Sequence, residues 1–214
     1  VTLIPLVITS KLLLSKRNIL DVFSLNKSII KGFFLSLIGT LPMLIGYLIH
    51  FRLISIINCE SLFINTVSSA FFEEVIFRAF LIGILYRFTR LGFLSSALLG
   101  SLLFAQVHLY QSQDITELAE IFTITFLGSL FFAWVYFESE YNLWTAIFLH
   151  FFMNLYWEIF NVSENVSGNL YGNLYKILSI IVMIVVVIYF KRKNKSSFEI
   201  TWKSLFIKTR ELQS

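Results

Sequence analysis

Apolar residues run along this chain in long blocks broken by short polar connectors. Blocks of about 17 to 25 apolar residues match the length of a helix crossing a bilayer. They stand near 29–51, 62–86, 92–110, 116–137, 141–160 and 173–190, with a shorter one at 1–14. The connectors SKRNILDVFSLNK, RFTRLG, QSQDIT, ESEYN and NVSENVSGNLYGN carry the breakers and polar residues that end helices. The pattern predicts an all-α fold, a polytopic transmembrane helix bundle of about seven spanning segments. Gly39 and Pro42 fall inside 29–51, where a bundle re-satisfies the backbone groups that a proline frees. No internal repeat is visible. The expected organisation is N-terminal transmembrane segments over 1–61, a core of four helices over 62–160, a last segment over 161–190 and a basic tail over 191–214.

Composition agrees with a membrane chain: of 214 residues 57% are hydrophobic and 14% charged, 24 are Phe, and mean hydropathy is +0.78, too apolar for the interior of one soluble domain to hide. The single cysteine, Cys59, offers no intrachain disulfide and no paired-cysteine metal site. The chain opens at Val1 within an apolar run, which suggests a truncated or processed N-terminus. The net charge of +4 does not point to nucleic acid, because the basic residues cluster between apolar spans. Lys16, Arg17, Lys27, Lys31, Arg87, Arg90, Lys191, Arg192, Lys193, Lys195, Lys203, Lys208 and Arg210 fall on one side, and Arg52 and Lys176 on the other. That bias places the first side, and the C-terminus, in the cytoplasm. The tail, mixing Phe, Trp, Ile and Lys, suits either a headgroup-level segment or a solvated end. Abundant Phe, Ile, Lys and Asn suggest an AT-rich, bacterial genome and hence a bacterial cell membrane.

The stretch FFEEVIFRAF, residues 71–80, puts Glu73, Glu74 and Arg78 inside an apolar block. Each such group costs roughly 2.5 to 3.5 kcal/mol at the centre of a membrane helix. Residues four apart share a helix face, so Glu74 and Arg78 can pair while Glu73 turns away and needs a partner from another segment. Two other blocks offer one imidazole each: FAQVH places Phe104 and His108 four apart, and HFFMN does so for His150 and Asn154. Glu158 extends the His150 and Asn154 stripe by a turn, either bordering the same polar cavity or lying at the interface. A carboxylate beside two imidazoles can take a proton from water, and an imidazolium or an Asn amide can hold an oxyanion, which is equipment for peptide hydrolysis.

Taken in order, EEVIFR, FAQVH and HFFMN resemble the EExxxR, FxxxH and HxxxN motifs of the CPBP (Abi) family of intramembrane proteases, which includes the CAAX prenyl endopeptidases of the Ras-converting type. The resemblance spans about residues 62–160 and makes that stretch the catalytic core. It implies that Glu73 and His108 activate water, that His150 and Asn154 stabilise the oxyanion, and that Glu74, Arg78 and Phe104 support the site. The family is often labelled metalloprotease, and Glu73, His108 and His150 would then hold a catalytic zinc. The metal-free alternative needs the same residues and is preferred, since no HExxH and no partner shell for a metal can be identified.

The implied partners are a peptide or protein substrate in or at the membrane, and the bilayer itself. Substrates are small peptides rather than prenylated proteins if the source is bacterial. A scaffold or bacteriocin-immunity protein of the same family is the alternative. A proton-coupled transporter is a further one, but its inverted repeats and paired broken helices are not seen. Alone, His108 reads as an interfacial histidine, Asn154 as interhelical glue, His50 as interfacial, and Trp134, Trp144 and Trp157 as aromatic-belt residues. The charge bias places His108 near the non-cytoplasmic end, whereas the resemblance implies access from the cytosol.

Overall fold

A computed structural model describes residues 3–208; residues 1–2 and 209–214, with the tail end and Arg210 of the charge count, lie outside the described residues. Every apolar block is helical. The helices are α1 (Ile4–Leu13), α2 (Ile19–Val22), α3 (Ile29–His50), α4 (Cys59–Phe63), α5 (Ser69–Glu73), α6 (Ile84–Phe88), α7 (Phe93–Gln106), α8 (Ile115–Glu138), α9 (Leu143–Ile159) and α10 (Leu170–Lys193). Two π-helical stretches, Ile64–Ser68 and Glu74–Gly83, join α4, α5 and α6 into one continuous run. Polar connector residues start the helices: Ser28, Asn58, Asp114, Asn142 and Asn169 each accept a backbone N–H of the first turn of α3, α4, α8, α9 and α10.

Four stretches are long and apolar enough to cross a membrane: Ile29–His50, Phe93–Gln111, Ile115–Glu138 and Leu170–Lys193. The expected count of about seven is therefore met by four on length and composition. Helix α1 has 10 residues and α9 has 17, and 17 residues at about 1.5 Å each fall short of a hydrocarbon core of about 30 Å. The 59–88 run is interrupted by its π turns and carries five charged residues, Glu60, Glu73, Glu74, Arg78 and Arg87.

The polarity pattern is that of a bundle in lipid. Ile30, Phe34, Ile38, Leu41, Ile45 and Leu48 stand exposed along α3, while Ser36 and Thr40 on its other side are buried, as are Ser101, Ser129, Thr145 and Ser179. Small polar residues act as glue between helices: Ser36 donates to the Thr145 carbonyl (2.7 Å) and Ser101 to Ser129 (3.0 Å). After Pro42, the Met43 N–H is taken by the Ser179 hydroxyl of α10 at 3.0 Å. Helix α3 packs against both α9 and α10, α7 pairs with α8, and the 59–88 run lies between α7 and α9. Gly32 permits the α3–α9 approach, since a Cβ there would meet the Trp144 backbone at 2.7 Å.

The starts of α3, α7 and α9 and the ends of α6, α8 and α10 gather at one end of the bundle. There Asn142 donates to the Ser28 carbonyl (2.9 Å), Trp144 to the Leu25 carbonyl (3.1 Å) and Lys31 to Glu140 (2.6 Å), which holds the exposed Glu140 carboxyl below its usual range. His50 and Trp157 sit at the opposite end, His50 against Tyr175 (2.9 Å) and Trp157 donating to the Ser163 carbonyl (3.2 Å).

The described segment after α10, residues 194–208, is bonded to the bundle rather than being a loose solvated end. It folds back as a strap over the first end. Buried Glu138, at the end of α8, pairs with buried Lys191 (2.6 Å) and accepts the backbone N–H groups of Glu199 (3.1 Å) and Ile200 (2.9 Å). Further along, the Gly92 and Leu94 N–H groups donate to the Phe206 and Leu205 carbonyls, both at 2.7 Å. Removing one partner of a buried ion pair typically costs about 3 to 5 kcal/mol. Glu138→Ala is therefore expected to lower the melting temperature and to speed amide exchange over 198–207. Unchanged exchange there would show that the carboxylate does not hold the strap.

Candidate active site

The 59–88 run brings Glu73, Glu74 and Arg78 to the centre of the bundle between α7 and α9. Glu73 closes α5 and Glu74 opens the second π stretch, so the turn carrying the three charges is widened by i→i+5 bonding, a distortion that recurs at functional sites. Glu74 and Arg78 are almost wholly buried and meet at 3.1 Å as an ion pair, although Arg78 Nε and Glu74 Oε2 are not aligned as a hydrogen bond. The guanidinium is flanked by two rings, Phe104 of α7 at 4.3 Å and Phe132 of α8 at 5.2 Å. Cation–π contact compensates the buried cation where hydrogen bonds do not reach it.

Both histidines arrive as the motif spacing suggested, and each is held from behind. His108 Nδ1 lies 2.7 Å from the Phe104 carbonyl, and His150 Nδ1 lies 2.8 Å from Glu74 Oε1. Both partners are acceptors, so each neutral ring carries its proton on Nδ1 and turns an Nε2 lone pair forward. The two Nε2 atoms face one atom, Glu73 Oε2, at 3.8 Å and 3.9 Å. That oxygen is buried and has no direct hydrogen-bond partner. Gaps of this size are too long for a direct bond and suit an intervening water.

A zinc ion would fall on the same three donors, Glu73, His108 and His150. The sequence offered no partner shell for a metal, yet the structure supplies one in Glu74 and the Phe104 carbonyl. Spacing argues the other way. Ligands about 2.0 to 2.1 Å from a tetrahedral ion stand about 3.3 Å apart, less than either gap. Among the described residues no three such donors are placed to close on one ion.

Asn154 stands one turn from His150, but its amide is spent on the Asn65 carbonyl (2.9 Å), with Ser69 Oγ at 3.4 Å. The same Asn65 carbonyl accepts the Ser69 hydroxyl at 2.5 Å, and Asn65 Nδ2 donates to Glu158 Oε1 at 3.2 Å. Glu158 thus joins the site's polar stripe through Asn65. Two residues that the motif reading passed over, Asn65 and Ser69, belong to this arrangement, and their four-residue spacing from Glu73 was the available signal. Phe132, which touches both Arg78 and the His150 ring (5.5 Å between centroids), had none among so many phenylalanines. A cavity of about 560 Å³ lies at the C-terminal end of α9, lined by His50–Ile56 with Phe160 and Asn161.

Residues 56–156 match the family model described as type II CAAX prenyl endopeptidase Rce1-like. Over this stretch the chain is similar to that family. The stretch contains all three motifs, and Glu158 lies just beyond it. No curated protein and no solved structure matches the chain. The match is a similarity to CAAX-type intramembrane proteases over these residues, and it agrees with an integral membrane protein.

Within the matched stretch, the ion pair invites a direct test. Arg78→Ala leaves Glu74 buried without its cation, a loss of about 3 to 5 kcal/mol. The expected outcome is a large fall in detergent-extracted folded protein and in melting temperature, partly recovered by Glu74→Gln in the same chain. A variant as stable as wild type would remove the pair from the fold's supports.

Proposed function

We propose that the protein is an intramembrane endopeptidase that hydrolyses a peptide bond with water activated by Glu73 and His108. The observation that carries this reading is the convergence of two imidazole Nε2 atoms on Glu73 Oε2, at 3.8 Å and 3.9 Å, inside a membrane bundle. A water there has two protons for three acceptors, so the trio holds one proton more. It is best placed on His150, whose Nδ1 is backed by a carboxylate, rather than on His108, whose Nδ1 faces a neutral carbonyl. The imidazolium then balances Glu73, as Arg78 balances Glu74, and no net charge is left in the interior.

In this mechanism His108 orients the water and Glu73 takes its proton as the oxygen attacks the scissile carbonyl carbon. The C–O bond forms, the carbonyl electron pair moves onto oxygen, and the His150 Nε2–H donates to the resulting oxyanion. Collapse breaks the C–N bond, and the proton held by Glu73 passes to the leaving amine. Asn154, with its amide on the Asn65 carbonyl, is assigned to positioning α9 and His150 rather than to the oxyanion. Small peptides, or lipidated or membrane-embedded chains, are the proposed substrates. The proposed setting is a bacterial cell membrane with the C-terminus cytoplasmic.

Mass spectrometry of a short-peptide panel incubated with purified protein tests the reading. Wild type is expected to cleave, with or without a chelator. Glu73→Gln, which keeps the shape but cannot take the proton, is expected to lose about 10²- to 10⁴-fold. Chelator-sensitive cleavage would replace the metal-free mechanism with a metal-dependent one, and equal rates for wild type and Glu73→Gln would remove Glu73 from the chemistry.

A further inference from the structure

The contacts between α9 and the 59–88 run form a ladder. Glu73 faces His150, Ser69 faces Asn154, and Asn65 faces both Asn154 and Glu158. Both helices advance by four residues per rung, so a polar seam climbs from the reacting atoms to the end of the bundle where α9 stops. Exposure rises along it, from half-buried Glu73 and Ser69 to exposed Asn65. Glu158 is the last rung. One of its oxygens accepts the Asn65 amide, and among the described residues it forms no ion pair, unlike Glu74, Glu138 and Glu140.

From this seam we infer a substrate preference, resting on the protease reading above: Glu158 is a specificity-determining residue that receives a cationic group of the peptide, a Lys or Arg side chain or a free α-amino terminus. Eight residues of helix at about 1.5 Å each place Glu158 about 12 Å along α9 from His150. An extended chain covers that in three to four residues at about 3.3 Å each. The cation therefore sits three or four residues from the cleaved bond. The field at that end has the same sign. Glu60, Asp114, Glu117, Glu120 and Glu164 lie in the connectors and helix ends there, against Arg52 and Lys176.

The test is cleavage of a randomised decapeptide library by wild type, Glu158→Gln and Glu158→Lys in nanodiscs, with cut sites mapped by mass spectrometry. Wild type is expected to enrich Lys and Arg three or four residues from the cut by roughly two- to five-fold, the scale of a half-exposed ion pair. Glu158→Gln, which still accepts from Asn65, is expected to cleave without that enrichment, and Glu158→Lys to enrich Asp and Glu instead. N-acetylated and free-amine forms of one cleaved peptide separate a side-chain cation from an α-amine. Cuts without charge preference, or a preference unmoved in Glu158→Lys, would overturn the assignment. A library left uncut by wild type would count against the protease reading. The assignment is then decided by fluorescence anisotropy of a Lys-containing and a Glu-containing decapeptide on wild type and Glu158→Lys, where equal affinities would sink it.

Discussion

Burying Arg78 and Glu74 side by side constrains more of this molecule than any other interaction. Neither charge can stand alone in a bundle interior, and their contact at 3.1 Å leaves further demands unmet. The guanidinium needs cover, which Phe104 from α7 and Phe132 from α8 provide. The second Glu74 oxygen needs a donor, which His150 from α9 provides at 2.8 Å. One pair on one helix thus specifies the positions of three others, by the general rule that buried charges are retained only where hydrogen bonding and packing compensate them. The apolar contacts around it are interchangeable by comparison, because lipid is as good a neighbour for Leu or Ile as another helix.

The chemistry is what this arrangement leaves over. Once Glu74 holds His150 and the Phe104 carbonyl holds His108, both rings are locked in tautomer and direction. Glu73, the carboxylate without an ion-pair partner on its own helix, is left facing the Nε2 atoms of both rings. Acceptors crowded together in a low-dielectric interior are costly unless something with protons lies between them. The supporting pair and the reactive trio are therefore one construction, with His150 shared between them.

Much of this was legible in the sequence because expensive residues leave sharp marks. The pairing of Glu74 with Arg78, the need of Glu73 for partners on other helices, and the inward turn of His108 and His150 all follow from helical spacing and the cost of burying charge. What was not legible depends on neighbours. The π turns at Ile64–Ser68 and Glu74–Gly83 have no local composition signal. Asn65 and Ser69 looked like ordinary polar residues until the first π turn and Asn154 met at one carbonyl. The count of spans is less legible: four stretches qualify by length and composition, while α9 and the 59–88 run keep their place by packing and polar contacts as well as by apolar length. The strap was invisible because its anchors, Glu138 and Lys191, lie in blocks that read as helix ends.

The two ends of the bundle are built for different purposes. At the end where α8 and α10 stop, Glu138 and Lys191 pin the strap across the helix termini, and its backbone bonds to Gly92 and Leu94 cover the start of α7. At the other end the seam between α9 and the 59–88 run is lined by Asn65, Ser69, Asn154 and Glu158, side chains that hydrate well and fill a helix contact poorly. Water reaches a membrane interior along polar side chains, not across packed aliphatic ones. The proposed hydrolysis needs water and a peptide at the same atoms, and this seam of polar side chains leads to Glu73 and the two imidazoles. Under the proposed orientation it opens away from the cytoplasm, so the sidedness of the proposed cleavage follows from the orientation of the bundle rather than from the motifs.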